Sequence, residues 1–412
     1  MYSMRLCLKS FLIIFLLSCQ NPEDISLKIK ETPARDTIVE VLEKEIVLGA
    51  DQIPTIVDLL ENETVGIVAN QTSVVGENHL VDSLLSCDIT IKTVFSPEHG
   101  FRGDADAGAS VESGIDVKTG LPIISLYGSN KKPTEDQLDG LTTVVFDIQD
   151  VGARFYTYIS TLHYVMEACA EQNIKVVVLD RPNPNGHYVD GPIREEGFLS
   201  FVGMHPIPIV HGMTVGEIAK MINGEKWLKN DVQCKLEVVE IKNYKRNDPY
   251  SLPIAPSPNL RSDASITLYP SLCLFEGTVI SVGRGTDRPF EVFGHPDLKE
   301  DTIFDYTFTP KPGYGSKHPK LDGQLCHGMD LGEKYTEERL DKIDLSWLLQ
   351  AYETYEGDDF FTKRVRWFDL LAGTDKLRKQ ITDGLSEEEI RSSWDKGLTE
   401  FKEMRSNYLI YE

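Results

Sequence analysis

The N-terminal half of the chain alternates between short apolar runs and amphipathic segments. The apolar, β-rich runs between residues 64 and 241 are TVGIVAN, ITIKTVF, LPIISLY, TTVVFDI, IKVVVLD and CKLEVVEI. Several are separated by the amphipathic segments IPTIVDLLEN, YISTLHYVMEACAEQN and TVGEIAKMING. In the second segment, apolar residues recur at helical spacing at Ile159, Leu162, Val165, Met166 and Cys169. Apolar strands with helices between them predict an α/β, Rossmann-like domain with a mostly parallel sheet covered on both faces.

Beyond about residue 246 the periodicity weakens. The runs SITLYPSLCLFEGTVISVG and DTIFDYTFTP have short β-like patterns between loops rich in proline and glycine. Ser386 and Glu389 form a capping-box pattern that predicts the start of the last helix. The apolar stripe of that helix, which we expect in the core, is Ile390, Trp394, Leu398 and Phe401. These patterns predict a smaller α+β domain packed on the first.

The first 45 residues are predicted to precede the folded domains. Arg5 and Lys9 come before an eight-residue apolar stretch, Phe11 to Ser18, which is too short to span a membrane and is typical of a signal peptide. The LLSC at its end resembles the lipobox of bacterial lipoproteins and predicts lipidation of Cys19; an ordinary secretory peptide is the alternative. We therefore expect an exported protein, lipid-anchored to the bacterial cell envelope on its periplasmic or surface face. The predicted boundaries are 1–18 for the signal peptide, 19–45 for a tether, 46–245 for the Rossmann-like catalytic domain and 246–412 for the C-terminal domain.

Charge and cysteine content narrow the range of partners. The formal net charge is −23, and no stripe of lysine and arginine offsets it, so a nucleic-acid partner is excluded. The charge does not argue against a glycan partner.

The cysteines beyond the signal peptide are widely spaced and form no CxxC pair, which predicts buried free thiols. They are Cys87, Cys169, Cys234, Cys273 and Cys326.

Polar residues follow four of the predicted strands. In chain order these candidates are Asn70; Glu98 and His99, within VFSPEHGFRGDADAG; Asp150 and Arg154; and Asp180, Arg181 and Asn183. Ligands bind at the carboxyl ends of the strands in doubly wound sheets, because loops and helix N-termini converge there. Prolines and glycines in these loops fix the backbone. The pattern predicts a polar pocket that holds a sugar through several hydrogen bonds.

Glu98 is the leading candidate for a catalytic acid. It follows an apolar strand and Pro97, so we expect it to emerge from buried surroundings. Partial burial raises a carboxyl pKa toward the range that a general acid needs. A structural pair with Arg102 is the alternative. His99 is expected either to orient a substrate or to cap the following loop.

Asp150 is the best candidate for a second carboxylate. Its alternatives are a cap for the helix near Tyr158 and an ion pair with Arg154. Asp147 lies inside its strand run and is predicted to make structural hydrogen bonds. His211 precedes a helix capped near Thr214 and is expected either in the pocket or in a turn.

Residues 255–296 hold a second group of candidates. They are Asn259, Arg261, Glu276, Arg284, Asp287 and Arg288, and they lie among prolines and glycines. Arginine is suited to bidentate contact with a carboxylate, and Arg–Asp pairing that holds a long loop is the alternative.

Several familiar motifs are absent from the sequence. No GxGxxG follows a first strand, GRGTDRP lacks the ending of a P-loop, and no GxSxG elbow or HExxH helix is found. The sequence therefore predicts no cofactor and no bound metal.

The segments that contain the candidate residues, taken in chain order, resemble the exo-β-N-acetylmuramidases of the NamZ type, a family once catalogued as a domain of unknown function. The resemblance runs from about residue 47 to 412. It is carried by GIVANQTSV, VFSPEHGFRGDADAG, DIQDVGARFYTYISTL, LDRPNPNG, GPI, PIVHGMTVGEIA, PSPNLRS, YPSLCLFEGT, GRGTDRPFEVFG and SNYLIYE.

The resemblance implies a cleft between a Rossmann-like domain and a smaller C-terminal domain. It also implies an exo-acting enzyme that releases N-acetylmuramic acid units from the non-reducing ends of peptidoglycan fragments, with Glu98 of PEHG as the catalytic acid. The catalytic partner that acts on the opposite side of the sugar from Glu98 would be Asp150, Glu276 or Asp287, or the 2-acetamido group of the substrate itself. A lipoprotein that binds cell-wall glycan without cleaving it, and a metal-dependent hydrolase, are the alternatives.

Overall fold

A mostly parallel sheet forms the N-terminal part of the protein. The computed structural model describes residues 44–102, 113–298, 303–336, 338–361 and 365–412. Within these residues the strands are β1 (Val65–Ala69), β2 (Val74–Val75), β3 (Asn78–His79), β4 (Ile91–Ser96), β5 (Gly114–Ile115), β6 (Pro122–Ser125), β7 (Thr143–Asp147), β8 (Lys175–Leu179), β9 (Lys235–Val239), β10 (Val292–His295), β11 (Tyr306–Phe308) and β12 (Cys326–Asp330).

The main sheet has seven strands in the described residues, in the order β5-β6-β4-β1-β7-β8-β9. Only β5 pairs antiparallel, at one edge. All six apolar runs of the N-terminal half form strands of this sheet, which confirms the predicted α/β fold. In the register, Ala69 lies opposite Asp147 and Ser96 lies opposite Ser125. The carboxyl ends of β1, β4, β6 and β7 therefore end at a common edge.

Helices cover both faces of the sheet. In the described residues the helices are α1 (Ile53–Leu60), α2 (Leu80–Leu85), α3 (Glu135–Leu138), α4 (Tyr158–Glu171), α5 (Val215–Gly224), α6 (Asp263–Leu272), α7 (Ser346–Thr354), α8 (Val365–Ala372), α9 (Lys376–Thr382), α10 (Glu387–Ser392) and α11 (Asp395–Ser406). Strand side chains alternate between two cores. Val145 and Val177 pack with α1 and α2, whereas Val144 and Val176 pack with α4 and α5. This alternation follows from the two-residue period of a strand.

The C-terminal part contains a three-stranded antiparallel sheet, ordered β10-β12-β11. The prediction for SITLYPSLCLFEGTVISVG was wrong, because its first half is helix α6 followed by a 3-10 turn at Cys273–Gly277. Ser262 begins that helix by accepting a hydrogen bond from the Ser265 N–H. Residues Ala264 to Leu272 are all buried, so packing outweighs the strand preference of the β-branched residues among them. In DTIFDYTFTP, β11 is a strand as predicted.

The last apolar stripe belongs to two helices and not to one. The capping box of Ser386 and Glu389 is confirmed at the start of α10. The chain then turns at Ser393, whose hydroxyl donates to the Ile390 carbonyl at 2.5 Å and so competes with the helical hydrogen bonds. Trp394 and Phe401 are buried as predicted.

Residues Glu45–Glu412 form one compact unit. The five cysteines expected to be free thiols are free, and four of them are buried. Among the described residues, no helix is long and apolar enough to cross a membrane. The signal peptide, Cys19, most of the tether and residues 103–112 lie outside the described residues. The division into domains at 245/246 stays a prediction.

Candidate active site

A cleft of about 900 Å³ opens where the carboxyl edge of the main sheet meets the C-terminal part of the chain. Loops after β4 and β6, the start of α4 and residues 200–202 form one wall, which we call the sheet wall. Helices α6 and α8 and the segments 281–284 and 315–320 form the other, the C-terminal wall. Among the polar side chains that line the cleft are Glu98, Tyr127, Lys131, Thr157, Glu276, Arg284, Lys317, His318 and Lys320.

Glu98 lies in the sheet wall, half-buried, two residues beyond β4. The Tyr127 hydroxyl donates to its Oε1 at 3.0 Å, and the Thr157 hydroxyl donates to its Oε2 at 3.2 Å. Burial, and then the negative charge of Glu98, raise the pKa of Tyr127 well above its usual value. Tyr127 therefore keeps its proton and remains a donor, and both carboxylate oxygens have fixed partners.

The sheet register explains why Tyr127 meets Glu98. Ser96 and Ser125 are opposite each other at the ends of β4 and β6, and each of the two side chains lies two residues further on. His99 follows Glu98 with a φ of 73° and is buried. A left-handed residue here turns the chain sharply away from the strand direction after Glu98.

Asn70 lies at the same edge but beneath the cleft, because it is fully buried and does not line the cleft. Its Nδ2 donates to the Tyr158 hydroxyl at 3.0 Å, and its Oδ1 accepts from the backbone and hydroxyl of Thr72. Thr72 in turn accepts from the Gln149 N–H at 3.0 Å. The loops after β1 and β7 are thus joined to each other by hydrogen bonds.

The residues after β8 are also engaged within the protein. Arg181 forms a bidentate pair with Asp147, at 2.6 and 2.9 Å, and both side chains are buried. The structural role expected for Asp147 is confirmed. Asp180 accepts from the hydroxyls of Thr214 and Tyr411, both at 2.7 Å, so it joins the start of α5 to the C-terminus. Neither Asp180 nor Arg181 lines the cleft.

Asp150 does not line the cleft either. It is 4% exposed, and its Oδ2 accepts from the Gly152 N–H at 2.7 Å. Its Oδ1 has no hydrogen-bond partner among the residues that the structure describes. Burial raises the pKa of Asp150 to about 7. The structure therefore does not bring Asp150 to the position of a second carboxylate opposite Glu98. The signal that suggested it, a carboxylate after a strand, does not distinguish a cleft residue from a buried one.

Arg154 is fully buried and donates to the backbone carbonyls of Pro192, Ile207 and Leu371 at 2.6–2.9 Å. No carboxylate in the described part of the chain forms an ion pair with it, and burial lowers its pKa to about 9. Because Leu371 belongs to α8, Arg154 joins the sheet part to a helix of the C-terminal wall. It is not in contact with the cleft.

The remaining amide and histidine candidates are buried in turns outside the cleft lining. Asn183 donates to the Met213 carbonyl at 2.9 Å, and Asn259 donates to the Gly315 carbonyl at 2.7 Å. His211 accepts from the Met213 N–H, and burial lowers its pKa to about 3, which keeps the ring neutral. Of the two roles considered for His211, the structure supports the turn.

Two candidates of the C-terminal group do line the cleft. Glu276 accepts from Arg284 Nε at 2.6 Å, and the guanidinium of Arg284 lies 4.9 Å from the centre of the Phe290 ring. Burial alone would lower the pKa of Arg284, but the negative charge and the hydrogen bond of Glu276 outweigh it, so the pKa is raised. Glu98 and Glu276 are the two carboxylates that line the cleft within the described residues, and they belong to opposite walls.

Three candidates of this group lie outside the cleft. Arg288 pairs with Glu291 and Asp330, which matches the alternative of a pair that holds a loop. Asp287 is exposed. Arg261 is exposed as well and donates to the carbonyls of Pro258 and Tyr314.

Comparison with known proteins places the chain in a family. A family profile described as the N-terminal domain of exo-β-N-acetylmuramidase NamZ matches residues 65–264, and the corresponding C-terminal profile matches residues 267–411. The chain belongs to the NamZ exo-β-N-acetylmuramidase family. It is a glycoside hydrolase.

Relatives of the NamZ family support the assignment along most of the chain. Peptidoglycan β-N-acetylmuramidase NamZ of Bacillus subtilis (strain 168) is 42% identical over an alignment of 378 residues, and the match covers 85% of this chain and 88% of that protein. Two crystal structures of DUF1343 family proteins from Bacteroides fragilis NCTC 9343 are also similar. The first has a TM-score of 0.81 and 45% identity, covering 90% of this chain and 99% of the other. The second has a TM-score of 0.76 and 29% identity, covering 89% and 99%.

Sequence reasoning missed most of the polar lining of this NamZ-family cleft. Tyr127 and Lys131 follow β6, and no carboxylate marks the end of that strand in the sequence. Thr157 directly precedes α4, and the convergence of helix N-termini at this edge is a signal that points to it. Lys317 and His318 lie in a stretch, KPGYGSKHPK, that shows no motif.

Proposed function

We propose that this protein is an exo-acting β-N-acetylmuramidase that releases N-acetylmuramic acid from the non-reducing ends of peptidoglycan fragments, with Glu98 as the general acid. The observation that carries the proposal is the position of Glu98 in a sugar-sized cleft, held by Tyr127 and Thr157, in a chain of the NamZ family. The activity in the name of the Bacillus subtilis relative supports the substrate.

In the proposed reaction, Glu98 gives its proton to the glycosidic oxygen as the bond from that oxygen to the anomeric carbon breaks. The departing sugar leaves with a new hydroxyl group, and water finally supplies the hydroxyl at the anomeric carbon and the proton that returns to Glu98. A hydroxyl both donates and accepts hydrogen bonds. Thr157 and Tyr127 can therefore hold Glu98 in both of its protonation states.

Glu276 is the carboxylate that the geometry favours for the opposite side of the sugar. It lies on the C-terminal wall, and Arg284 holds its orientation through a 2.6 Å hydrogen bond. It either attacks or activates water itself, or it orients the 2-acetamido group for attack. Azide is a small nucleophile that needs no base, so it should restore turnover to a Glu276→Ala variant if Glu276 attacks the sugar or activates water, and should not do so if Glu276 only orients the 2-acetamido group.

Glu98→Gln is the direct test of the proposal. We expect turnover of a disaccharide of N-acetylmuramic acid linked to N-acetylglucosamine to fall by about 10²–10⁴-fold, because the leaving sugar oxygen needs the proton that the amide cannot supply. The amide oxygen still accepts one of the two hydrogen bonds, so the melting temperature should change little. Glu388→Gln, an exposed change on α10, is the matched control. An unchanged rate in Glu98→Gln would remove Glu98 from the reaction, and EDTA treatment of the wild type tests the metal-dependent alternative.

We further propose that the protein is exported and anchored to the cell envelope by a lipid on Cys19. The proposal is supported by the short apolar stretch from Phe11 to Ser18 and by LLSC at its end. Radiolabelled palmitate should be incorporated into the wild type and not into Cys19→Ser. Export of Cys19→Ser as a released, unlabelled protein would agree with the proposal, whereas equal labelling of both would contradict it.

A further inference from the structure

The cations of the cleft differ in how their charges are compensated. Arg284 is paired with Glu276, and Lys320 donates to the carbonyls of Phe275, Thr278 and Ile280 at 2.6–3.1 Å. Lys320 therefore anchors the segment 315–320 against the 3-10 turn. Lys131 is different, because within the described residues neither a carboxylate nor a carbonyl oxygen accepts a hydrogen bond from it.

The absence of a partner for Lys131 contrasts with its neighbour in the chain. Lys132 points away from the cleft and pairs with both Glu167 and Glu171, each at 2.7 Å. The protein has 65 acidic and 42 basic residues, yet no carboxylate of the described residues is paired with Lys131. A protein of this net charge has carboxylates available for its cations, so the missing partner suggests that the anion comes from the ligand.

The Lys131 side chain is held in place without an ion pair. Its Nζ lies 4.6 Å from the centre of the Phe201 ring, in a cation–π contact. Phe201 is fixed in turn, because Tyr164 stacks on it and its carbonyl accepts from the Ser160 hydroxyl at 2.7 Å. The ammonium group is thus positioned in advance.

Lys131 also belongs to the loop that contacts the proposed general acid. This loop follows β6 and includes Tyr127, whose hydroxyl donates to Glu98. Both residues line the same wall of the cleft. An anionic group on the sugar next to Glu98 would therefore find Lys131 on the same wall.

We propose that Lys131 is the residue by which the cleft distinguishes a carboxylate-bearing sugar from its neutral counterpart. This inference rests on the proposed function, in which the bound sugar is N-acetylmuramic acid, an N-acetylglucosamine that carries a lactyl ether. The ammonium binds the lactyl carboxylate through a charge-assisted hydrogen bond. N-acetylglucosamine lacks that carboxylate and leaves Lys131 without a partner.

The test compares the two free sugars by isothermal titration calorimetry with the whole protein. In the wild type we expect N-acetylmuramic acid to bind more tightly than N-acetylglucosamine. Lys131→Met keeps the apolar part of the side chain over Phe201 and should weaken binding of the acidic sugar by about tenfold to a hundredfold, the value of a charge-assisted hydrogen bond. Binding of the neutral sugar should stay within about twofold, the size of effect expected where no hydrogen bond is lost.

Two further variants make the result specific. Lys131→Arg retains the charge and should restore most of the preference. Lys402→Met removes an exposed charge on α11, outside the cleft, and should leave the preference unchanged. Three results would overturn the proposal. They are an equal preference in wild type and Lys131→Met, an equal weakening of the binding of both sugars by Lys131→Met, and a wild type that binds neither sugar. Because binding is measured without turnover, a wild type that shows the preference but no hydrolysis would contradict the proposed function alone.

Discussion

The ends of β4 and β8 occupy equivalent positions in the sheet and have similar composition, yet they do different things. Each strand is followed by charged residues and a proline: Glu98 after Pro97, and Asp180 and Arg181 before Pro182. Glu98 faces the cleft and is held by two hydroxyl groups. Asp180 and Arg181 are closed inside the protein by Asp147, Thr214 and the C-terminal Tyr411.

The difference lies in what the rest of the chain places above each strand end. Helix α5 starts next to Asp180, and Gly216 permits the close approach, since a Cβ at that position would lie 2.8 Å from the Asp180 carboxylate. No element covers Glu98 in the same way within the described residues. Charged residues at a strand end therefore serve either stability or chemistry, according to the elements that cover them.

The largest expected effect separates these two roles. Arg181→Met leaves Asp147 as a buried, unpaired charge and should lower the free energy of unfolding by about 3–5 kcal/mol. The measurement is urea unfolding followed by circular dichroism. At the β4 end, Glu98→Gln should lower turnover by about 10²–10⁴-fold without this loss of stability.

The double variant Asp147→Asn/Arg181→Met is the control for this prediction. It removes both charges and should recover part of the lost stability, because no uncompensated charge remains. Turnover per folded molecule should stay close to wild type in both variants. A stable Arg181→Met protein without activity would show that the β8 end takes part in the reaction.

The buried Asp150, which follows β7 at the same edge of the sheet, should make the stability of the protein depend on pH. Burial raises its pKa in the folded protein to about 7, above the unfolded value of 3.8. Between pH 3.8 and about 7 the folded state therefore binds the Asp150 proton more strongly than the unfolded state does. The stability that the protonated Asp150 contributes is complete below pH 3.8 and is lost as the pH rises through about 7. Asp150→Asn resembles the protonated acid and lacks this dependence.

The stabilities of wild type and Asp150→Asn should accordingly diverge with pH. Within the window their difference in unfolding free energy should change by up to about 1.4 kcal/mol per pH unit and level off above it. Urea unfolding at pH 5, 6, 7 and 8 measures this. Comparing the two proteins cancels the contribution of Asp180, whose pKa burial raises to about 6. A difference in unfolding free energy between wild type and Asp150→Asn that stays constant from pH 5 to pH 8 would contradict the raised pKa of Asp150.

The hydroxyl groups around Glu98 should produce a smaller, purely kinetic effect. Tyr127→Phe removes the donor to Glu98 Oε1 and should lower kcat by about tenfold to a hundredfold, with KM nearly unchanged, because the lost contact orients the acid and not the ground-state sugar. Tyr164→Phe, a ring that stacks on Phe201 and retains its stacking surface, is the matched control. Equal losses of kcat in both variants would argue against a specific role for the Tyr127 hydroxyl.

Much of the sheet domain was predictable because its signals are local. Apolar runs such as IKVVVLD and helical spacing such as that of Ile159, Leu162 and Val165 report secondary structure directly. The helix α6 was missed because its stability comes from burial of its whole surface, which depends on contacts distant in sequence. The break at Ser393, where the side chain bonds to the Ile390 carbonyl, has no periodic signature in the sequence.

The site was less predictable for a related reason. Residue type and topology identified Glu98, Glu276 and Arg284, which line the cleft. The same reasoning also selected Asn70 and Asp180, whose partners come from remote segments. Tyr127 was missed because its contact with Glu98 depends on the register between β4 and β6, which the sequence pattern does not specify.

The smallest expected effect concerns two carboxylates that the sequence could not tell apart. Glu276 and Asp287 are eleven residues apart in the chain, but Glu276 lines the cleft beside Arg284, whereas Asp287 is exposed outside it. Asp287→Asn should change the unfolding free energy by less than about 0.5 kcal/mol, as is usual for surface substitutions, and leave kcat/KM within about twofold. Steady-state kinetics on a chromogenic muramide, with Glu276→Gln measured in parallel, tests this. A large loss in Asp287→Asn together with a mild one in Glu276→Gln would reverse the order expected from their positions and would contradict the assignment of Glu276 as the second cleft carboxylate.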